Sequence, residues 1–337
     1  MRERNNASIY SVAQAAGTSV GTVSNVINHP ERVSPALRTR VEAEMARQRY
    51  WPRPAARALA RQRSRLVGVV VFDISNPFFS HVANLMDQEV QAAGNSLMLA
   101  GTQQSNQAER AALESMSRAG VDAFAVCTSG GNFDLLNRLQ ERGHPVLLFA
   151  QRSEDERIKA VTIDDFTGMG LIAGHVVDRG AHRICFIEEP IHAVQHRDRW
   201  AGFVAALDSR GLDPDQVRRV PASGPTWDGG FQVVSEILAQ PRSMWPDCIV
   251  CLNDYTAIGA CRAVRSAGLV VGRDILVTGY DDIPYGAVLD VPLTTIRQPF
   301  DEMSGYLTTQ LLEAAERRDV AVEGRLFTPE LMIRESA

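Results

Sequence analysis

From Leu66 onward the chain alternates short apolar runs with amphipathic stretches, and this alternation limits the folds open to it. The strand-like runs are 66–72, 96–100, 123–127, 145–149, 183–187, 247–252 and 275–278. Helix-like stretches such as 79–93, 107–119, 167–178 and 255–267 lie between them. Repeated βα units build parallel sheets wrapped by helices. This many units predicts an α/β protein with two doubly wound lobes. Ligands of such lobes bind beyond the carboxyl ends of the strands. At 337 residues the chain also has room for a small domain ahead of them.

Charge divides the chain at the same place. Residues 1–65 hold twelve Arg and four Glu, with no Lys or Asp, a net charge of +8. The remainder holds 23 basic and 36 acidic residues, a net charge of −13. A basic head on an acidic body points to a polyanionic partner at one end only.

Within the head, 10–16 predicts a short helix with Ile9, Val12, Ala13 and Ala16 on one face. Gly17 and Thr18 make a turn, and Ser19 is an N-cap. Residues 20–28 continue as a second helix with Val23, Val26 and Ile27 inward. Ser34 and Pro35 start a third, whose stripe is Leu37, Val41 and Met45, closed by Tyr50. Two short helices across a glycine turn, backed by a third, form a helix-turn-helix. Docked in a major groove, the second helix would present Val20, Gly21 and Asn25 to base edges. Asn pairs bidentately with adenine, and Val touches a thymine methyl. Ser19, Thr22, Ser24, Asn28 and Arg32 suit phosphates. The alternative is a three-helix bundle whose outer face is merely polar.

In 52–65, Pro52 and Pro54 block a helix upstream while 55–60 favours one. Six residues cannot hold a helix alone in water, so this segment is expected to order only against DNA. Leu59, beside Ala56 and Arg57, is its one large apolar residue and can wedge between base steps in a minor groove. The alternative is a basic solvated linker.

No apolar run approaches the roughly 18 residues of a membrane helix. The first residues lack a signal peptide's apolar stretch, so the expected setting is the cytoplasm, with no membrane partner. Five scattered cysteines point to reduced, buried thiols. Cys248 and Cys251 have CxxC spacing, but on a strand an odd separation places them on opposite faces. His192 and His196 are four apart with no nearby Cys or carboxylate motif. No cofactor or metal is therefore expected. Without a P-loop, GxSxG or HExxH motif, nothing points to an enzyme.

The ordered motifs carry a resemblance. They are Ile9-Tyr10-Ser11-Val12-Ala13, the run from Ala16 to Ser24, Val33-Ser34, and Pro54-Ala55-Ala56-Arg57-Ala58-Leu59. Beyond them come Gly68-Val69-Val70, the run from Asp73 to Phe79, Gly279-Tyr280-Asp281-Asp282 and Leu293-Thr294-Thr295-Ile296. Over essentially its whole length the chain resembles the LacI/GalR family of bacterial transcription regulators. The resemblance implies a helix-turn-helix head at 1–51, a hinge at 52–65 and an effector domain at 66–337. The effector domain would be periplasmic-binding-protein-like. Its N-lobe would cover about 66–163 and 296–324, and its C-lobe about 164–295 and 325–337. Crossovers would fall near Asp164, Thr295 and Arg325.

The resemblance also implies a homodimer on a pseudo-palindromic DNA operator, with Val20, Gly21 and Asn25 reading bases and Leu59 as the minor-groove wedge. A dimer is expected over a tetramer, because no heptad tail follows the last strand-like run. Many members have Arg where Asn25 stands, so preference at the contacted step should shift toward adenine; many have Asn where Arg53 stands, and Arg53 would supply a phosphate contact instead.

For the effector, Arg199, Asn253 and Asp281 match contact positions of the family, and Trp227 lies in a loop that often offers an aromatic. One of Phe78 and Phe79 is expected to face the ligand, not both. Asn253 is equally a helix N-cap candidate, and Asp281 a turn residue. These groups suit a carbohydrate. Ala150 stands where many members have Asp, and Gln151 or Arg152 are the substitutes. Arg152 together with Arg199 would favour a sugar acid. The expected function is an effector-controlled transcriptional regulator, a repressor. The alternatives are a cytoplasmic solute-binding receptor, or an activator of the same fold.

Overall fold

The computed structural model describes residues 7–50, 63–189, 193–317 and 319–337. The hinge candidates Ala56, Arg57 and Leu59, with Arg53, lie outside the described residues. The chain divides into two compact units at Ser64 and Arg65.

The first unit holds α1 (Ile9–Ala15), α2 (Val20–Asn28) and α3 (Pro35–Arg47). Ser8 and Ser11 cap the start of α1 reciprocally, each side chain accepting the other's backbone N–H. Gly17 turns the chain at φ 59°, a conformation that suits glycine. Val12, Ala13, Ala16, Val23, Val26 and Val41 form the core. Ser11 donates to the side chain of Gln48 at 2.8 Å, and Gln48 returns a bond to the Ser11 carbonyl at 3.2 Å, tying α1 to the end of α3.

The second unit opens with β1 (Leu66–Val71), α4 (Pro77–Ala92), β2 (Ser96–Gly101), α5 (Asn106–Arg118), β3 (Ala123–Val126) and α6 (Phe133–Glu141). It continues through β4 (Val146–Phe149), β5 (Lys159–Ile163), α7 (Asp165–Asp178), β6 (Ile184–Glu188) and α8 (Val194–Asp208). Then come β7 (Arg218–Pro221), α9 (Trp227–Leu238), β8 (Cys248–Cys251), α10 (Asp254–Ser266) and β9 (Leu276–Thr278). The chain finishes with β10 (Thr295–Arg297), α11 (Phe300–Glu316), β11 (Arg325–Phe327) and β12 (Glu330–Met332).

The first sheet runs β11-β5-β4-β3-β1-β2 and the second β7-β6-β8-β9, every pairing parallel. Residues alternate across each sheet. Val67, Val69 and Val71 face α4 and α11, while Val70, Phe124 and Val126 face α5 and α6. In the second sheet Cys251 packs with α9 and α10, and Cys248 with α7 and α8, so the CxxC pair is split between faces. All five cysteines are buried and free.

The final crossovers depart from the sequence reading. Residues 325–337 were expected in the second lobe, but β11 pairs with β5 as the edge of the first sheet, Arg325 opposite Val161 and Phe327 opposite Ile163. At the other crossing, β10 pairs antiparallel with β12, and Ile296 belongs to the second lobe's core. The returns therefore follow Arg297 and Phe327. Strands of three residues carry too little alternation to be assigned from pattern alone.

Glycines let the second lobe's helices meet backbone to backbone. A Cβ on Gly259 of α10 would sit 1.8 Å from the Trp227 carbonyl of α9. Gly259→Ala must push these helices apart, with an expected loss of about 3 kcal/mol. Denaturant unfolding of the variant checks this, and an unchanged midpoint would contradict the packing described.

Candidate functional site

In both sheets the strand order reverses at one point, between β1 and β3 and between β6 and β8. Beyond the carboxyl ends there, a cavity lies between the lobes. Phe72, Phe78 and Phe79 line its first-lobe side together with Asp73, Asn76, Gln104 and Ala150. The second lobe supplies Glu189, Gln195, His196, Arg199, Asn253 and Asp281, and Gln298 follows β10. The phenylalanine rings are confined to the first-lobe side, and both sides carry polar groups.

Local sequence explains the placement. Asn76 accepts the N–H of Phe78 at 3.0 Å and Pro77 occupies the first turn, so α4 starts with both phenylalanines at the mouth. Asn253 caps α10, its Oδ1 accepting the Thr256 N–H at 2.7 Å. Its amide nitrogen donates to Glu189. Asn253 is therefore both a cap and part of the cavity wall. Three lining residues other than glycine have positive φ: Gln104 (60°), Ala150 (59°) and Asp281 (115°). Backbone strain of this kind gathers at ligand sites. Asp281 is held there by its N–H donating to the Ile296 carbonyl at 2.9 Å.

Arg199 is the hub. Its Nε donates to Asp165 at 2.8 Å and one terminal nitrogen to the Leu252 carbonyl at 2.5 Å. The other terminal nitrogen lies 3.9 Å from Asp281, and the guanidinium stacks 3.6 Å from the Tyr280 ring centre. All of these groups are buried. Asp281 in turn accepts the Gln298 amide at 2.7 Å.

Burial pushes the Glu189 carboxyl up to about 7, against the pull of Arg199 and the Asn253 hydrogen bond. Burial likewise raises Asp281 to about 7, with Arg199 and Gln298 opposing. Between about pH 4.5 and 7 the folded protein then keeps protons that the unfolded chain has released. Unfolding free energy should fall as pH rises through that window, and Glu189→Gln should flatten the decline. Urea midpoints from pH 5 to 7.5 check this. An equal slope in parent and variant would contradict it.

On the first unit, Gly21 and Asn25 are exposed on the outer face of α2. Val20 is half-buried against the core, so less of it is available to a base than the sequence reading expected. Ser19 accepts the Thr22 N–H and bonds the Thr22 hydroxyl at 2.9 Å, so both side chains are engaged in the cap. Ser24 is half-buried, and Arg32 is exposed beside Glu31. The Asn28 side chain lies outside the described residues.

Residues 64–319 match the family pattern described as periplasmic binding proteins and sugar binding domain of LacI family. Residues 8–53 match the bacterial regulatory proteins, lacI family. The chain belongs to the LacI family. It is 31% identical over 331 residues to the HTH-type transcriptional regulator GalR of Escherichia coli strain K12, covering 98% of this chain and 95% of GalR. It is 29% identical to the ribose operon repressor of the same strain, covering 98% of this chain and all of the relative. Among solved structures it is similar to the lac repressor dimer bound to operator and the anti-inducer ONPF, with TM-score 0.81, 27% identity and 98% of each chain covered.

Against this LacI-family frame, some expected ligand residues stand elsewhere. Trp227 does not line the cavity. It begins α9 after the Thr226 cap, partly exposed under Arg262, and Pro225 is the loop's contribution instead. Both Phe78 and Phe79 line the cavity, where one was expected. Gln151 is buried, donating to the Thr128 carbonyl at 2.9 Å, and Arg152 binds Asp198 at 2.6 Å; neither lines the cavity. Sequence reasoning missed Glu189, Gln195, His196 and Gln298. Glu189 lies just past the carboxyl end of the strand-like run 183–187, where the carboxyl-end rule could have found it, whereas Gln195, His196 and Gln298 carry no comparable local signal.

Proposed function

We propose that this chain is a LacI-family transcriptional repressor that binds a pseudo-palindromic DNA operator as a homodimer, under control of a small polyol held in the cleft. Gly21 and Asn25 of α2 read base edges, and Arg199, Asn253 and Asp281 hold the effector against the Phe78 and Phe79 wall. The observation that carries this reading is the pairing, in one chain, of an exposed polar face on a basic three-helix unit with a cleft that sets phenylalanine rings opposite Arg199, Asn253 and Asp281. Relatives support it: GalR is a transcriptional regulator, and the family includes a ribose operon repressor. A LacI-family regulator from Enterococcus faecium, 28% identical with TM-score 0.73 over 80% of this chain and 98% of its own, has been solved with bound ribose.

A ligand that touches both walls binds the closed arrangement of the lobes better than the open one. That difference in affinity is what couples the cleft to operator binding. Working on DNA, the protein belongs in the cytoplasm; among the described residues no helix is long and apolar enough to cross a membrane. Selection of bound sites from random duplexes tests the reading. A two-fold symmetric site should emerge, and recovery of unselected sequence would overturn it.

A further inference from the structure

We infer that the cleft takes a polyhydroxylated ligand without negative charge and rejects sugar acids and sugar phosphates. This rests on the receptor reading above and names the class of its ligand.

Arg199, the one arginine lining the cavity among the described residues, already has a carboxylate partner, and the lining His196 also lies beside a carboxylate. Arg199 is committed to Asp165 and the Leu252 carbonyl, with Asp281 at 3.9 Å. His196 lies 3.3 Å from Glu189. Arg152, the residue whose charge would have favoured an acid, is turned away onto Asp198 with bonds of 2.6 and 3.1 Å. Its neighbour in that contact, Arg197, pairs with Glu154.

The cavity also holds unpartnered hydrogen-bond acceptors. The side-chain oxygens of Gln195 and Gln298 are buried there without a partner. The Gln298 amide nitrogen is already given to Asp281, so its oxygen is the free end. A buried carbonyl oxygen left unpaired costs stability until a donor arrives. Hydroxyl and amino groups supply donors; carboxylates and phosphates bring only more acceptors and place their charge beside Glu189 and Asp281. Like charge in a desolvated site is strongly unfavourable. The ring face of the ligand then lies on Phe78 and Phe79, on a side whose one ionisable lining residue is the acid Asp73.

Matched probe sets test this on the full chain at pH 7.5: glucose, glucosamine and glucuronate; galactose, galactosamine and galacturonate; ribose and ribose 5-phosphate. Thermal shift screening followed by isothermal titration should find at least one neutral or amino sugar that binds. Its acidic or phosphorylated partner should bind roughly tenfold more weakly or worse. An acid or phosphate that binds more tightly than its neutral partner overturns the inference and leaves the receptor reading standing. Should no probe bind, the receptor reading fails and this inference with it. Gln195→Met provides an independent check, since it deletes one unpartnered acceptor and adds no charge. It should weaken the bound sugar by about tenfold while the ligand-free melting temperature stays level or rises. An unchanged sugar affinity would also overturn the inference.

Discussion

Arg199→Met lowers the unfolding free energy by about 3–5 kcal/mol and abolishes sugar binding. The guanidinium is buried and holds Asp165 by a bond of 2.8 Å, the Leu252 carbonyl at 2.5 Å and the region of Asp281 at 3.9 Å. Methionine replaces its bulk but not its charge, so two buried carboxylates are stranded and a carbonyl loses its donor. The deficit has a pH signature. Stranded carboxyls keep their protons to higher pH than in the unfolded chain, so the variant recovers stability as pH falls toward the ordinary carboxylate range. Asp165→Leu added to Arg199→Met should restore part of the stability but none of the ligand affinity. Guanidinium unfolding at pH 7.5 and pH 5 measures both effects. A loss below about 1 kcal/mol, as for an exposed ion pair, would contradict the hub role given to Arg199.

Asn25→Ala should weaken binding to the selected operator by about 1–3 kcal/mol for each half-site, the cost of the bidentate base contact proposed for it. Its effect on the salt dependence of binding should be small, since no phosphate contact is lost. Arg32→Ala should do the reverse, lowering affinity across all sequences and reducing the salt slope. Asn25→Arg should exchange adenine for guanine at the contacted step, since Arg matches the guanine edge as Asn matches adenine. Repeating the site selection with each variant reads this directly. Identical selected sites for Asn25→Arg and the parent would remove Asn25 from base reading.

Much of this was legible in the residues. The cap Ser19 and the inward residues Val23 and Val26 on α2 and Val41 on α3 marked the three-helix unit, because helix termini and helical periodicity are local properties. The parallel sheets were legible from apolar runs such as 66–71 and 248–251, where both faces are covered and alternation gives way to continuous hydrophobicity. Arg199, Asn253 and Asp281 were found through motif resemblance and the carboxyl-end rule. The partners of Arg199 were not, since Asp165 is 34 residues away in sequence and meets it only once α7 packs on α8. The short strand β11 was misplaced for a similar reason: its position depends on the open edge of β5, a tertiary fact. Arg152 looked like a ligand group until Asp198 arrived from the other lobe to occupy it.

One titration bears on the whole account: fluorescence anisotropy of the purified chain on its selected operator over a range of salt, with and without a cleft-binding sugar. Affinity should drop steeply with salt and shift by about tenfold or more on adding the sugar. Affinity indifferent to both salt and sugar would contradict it.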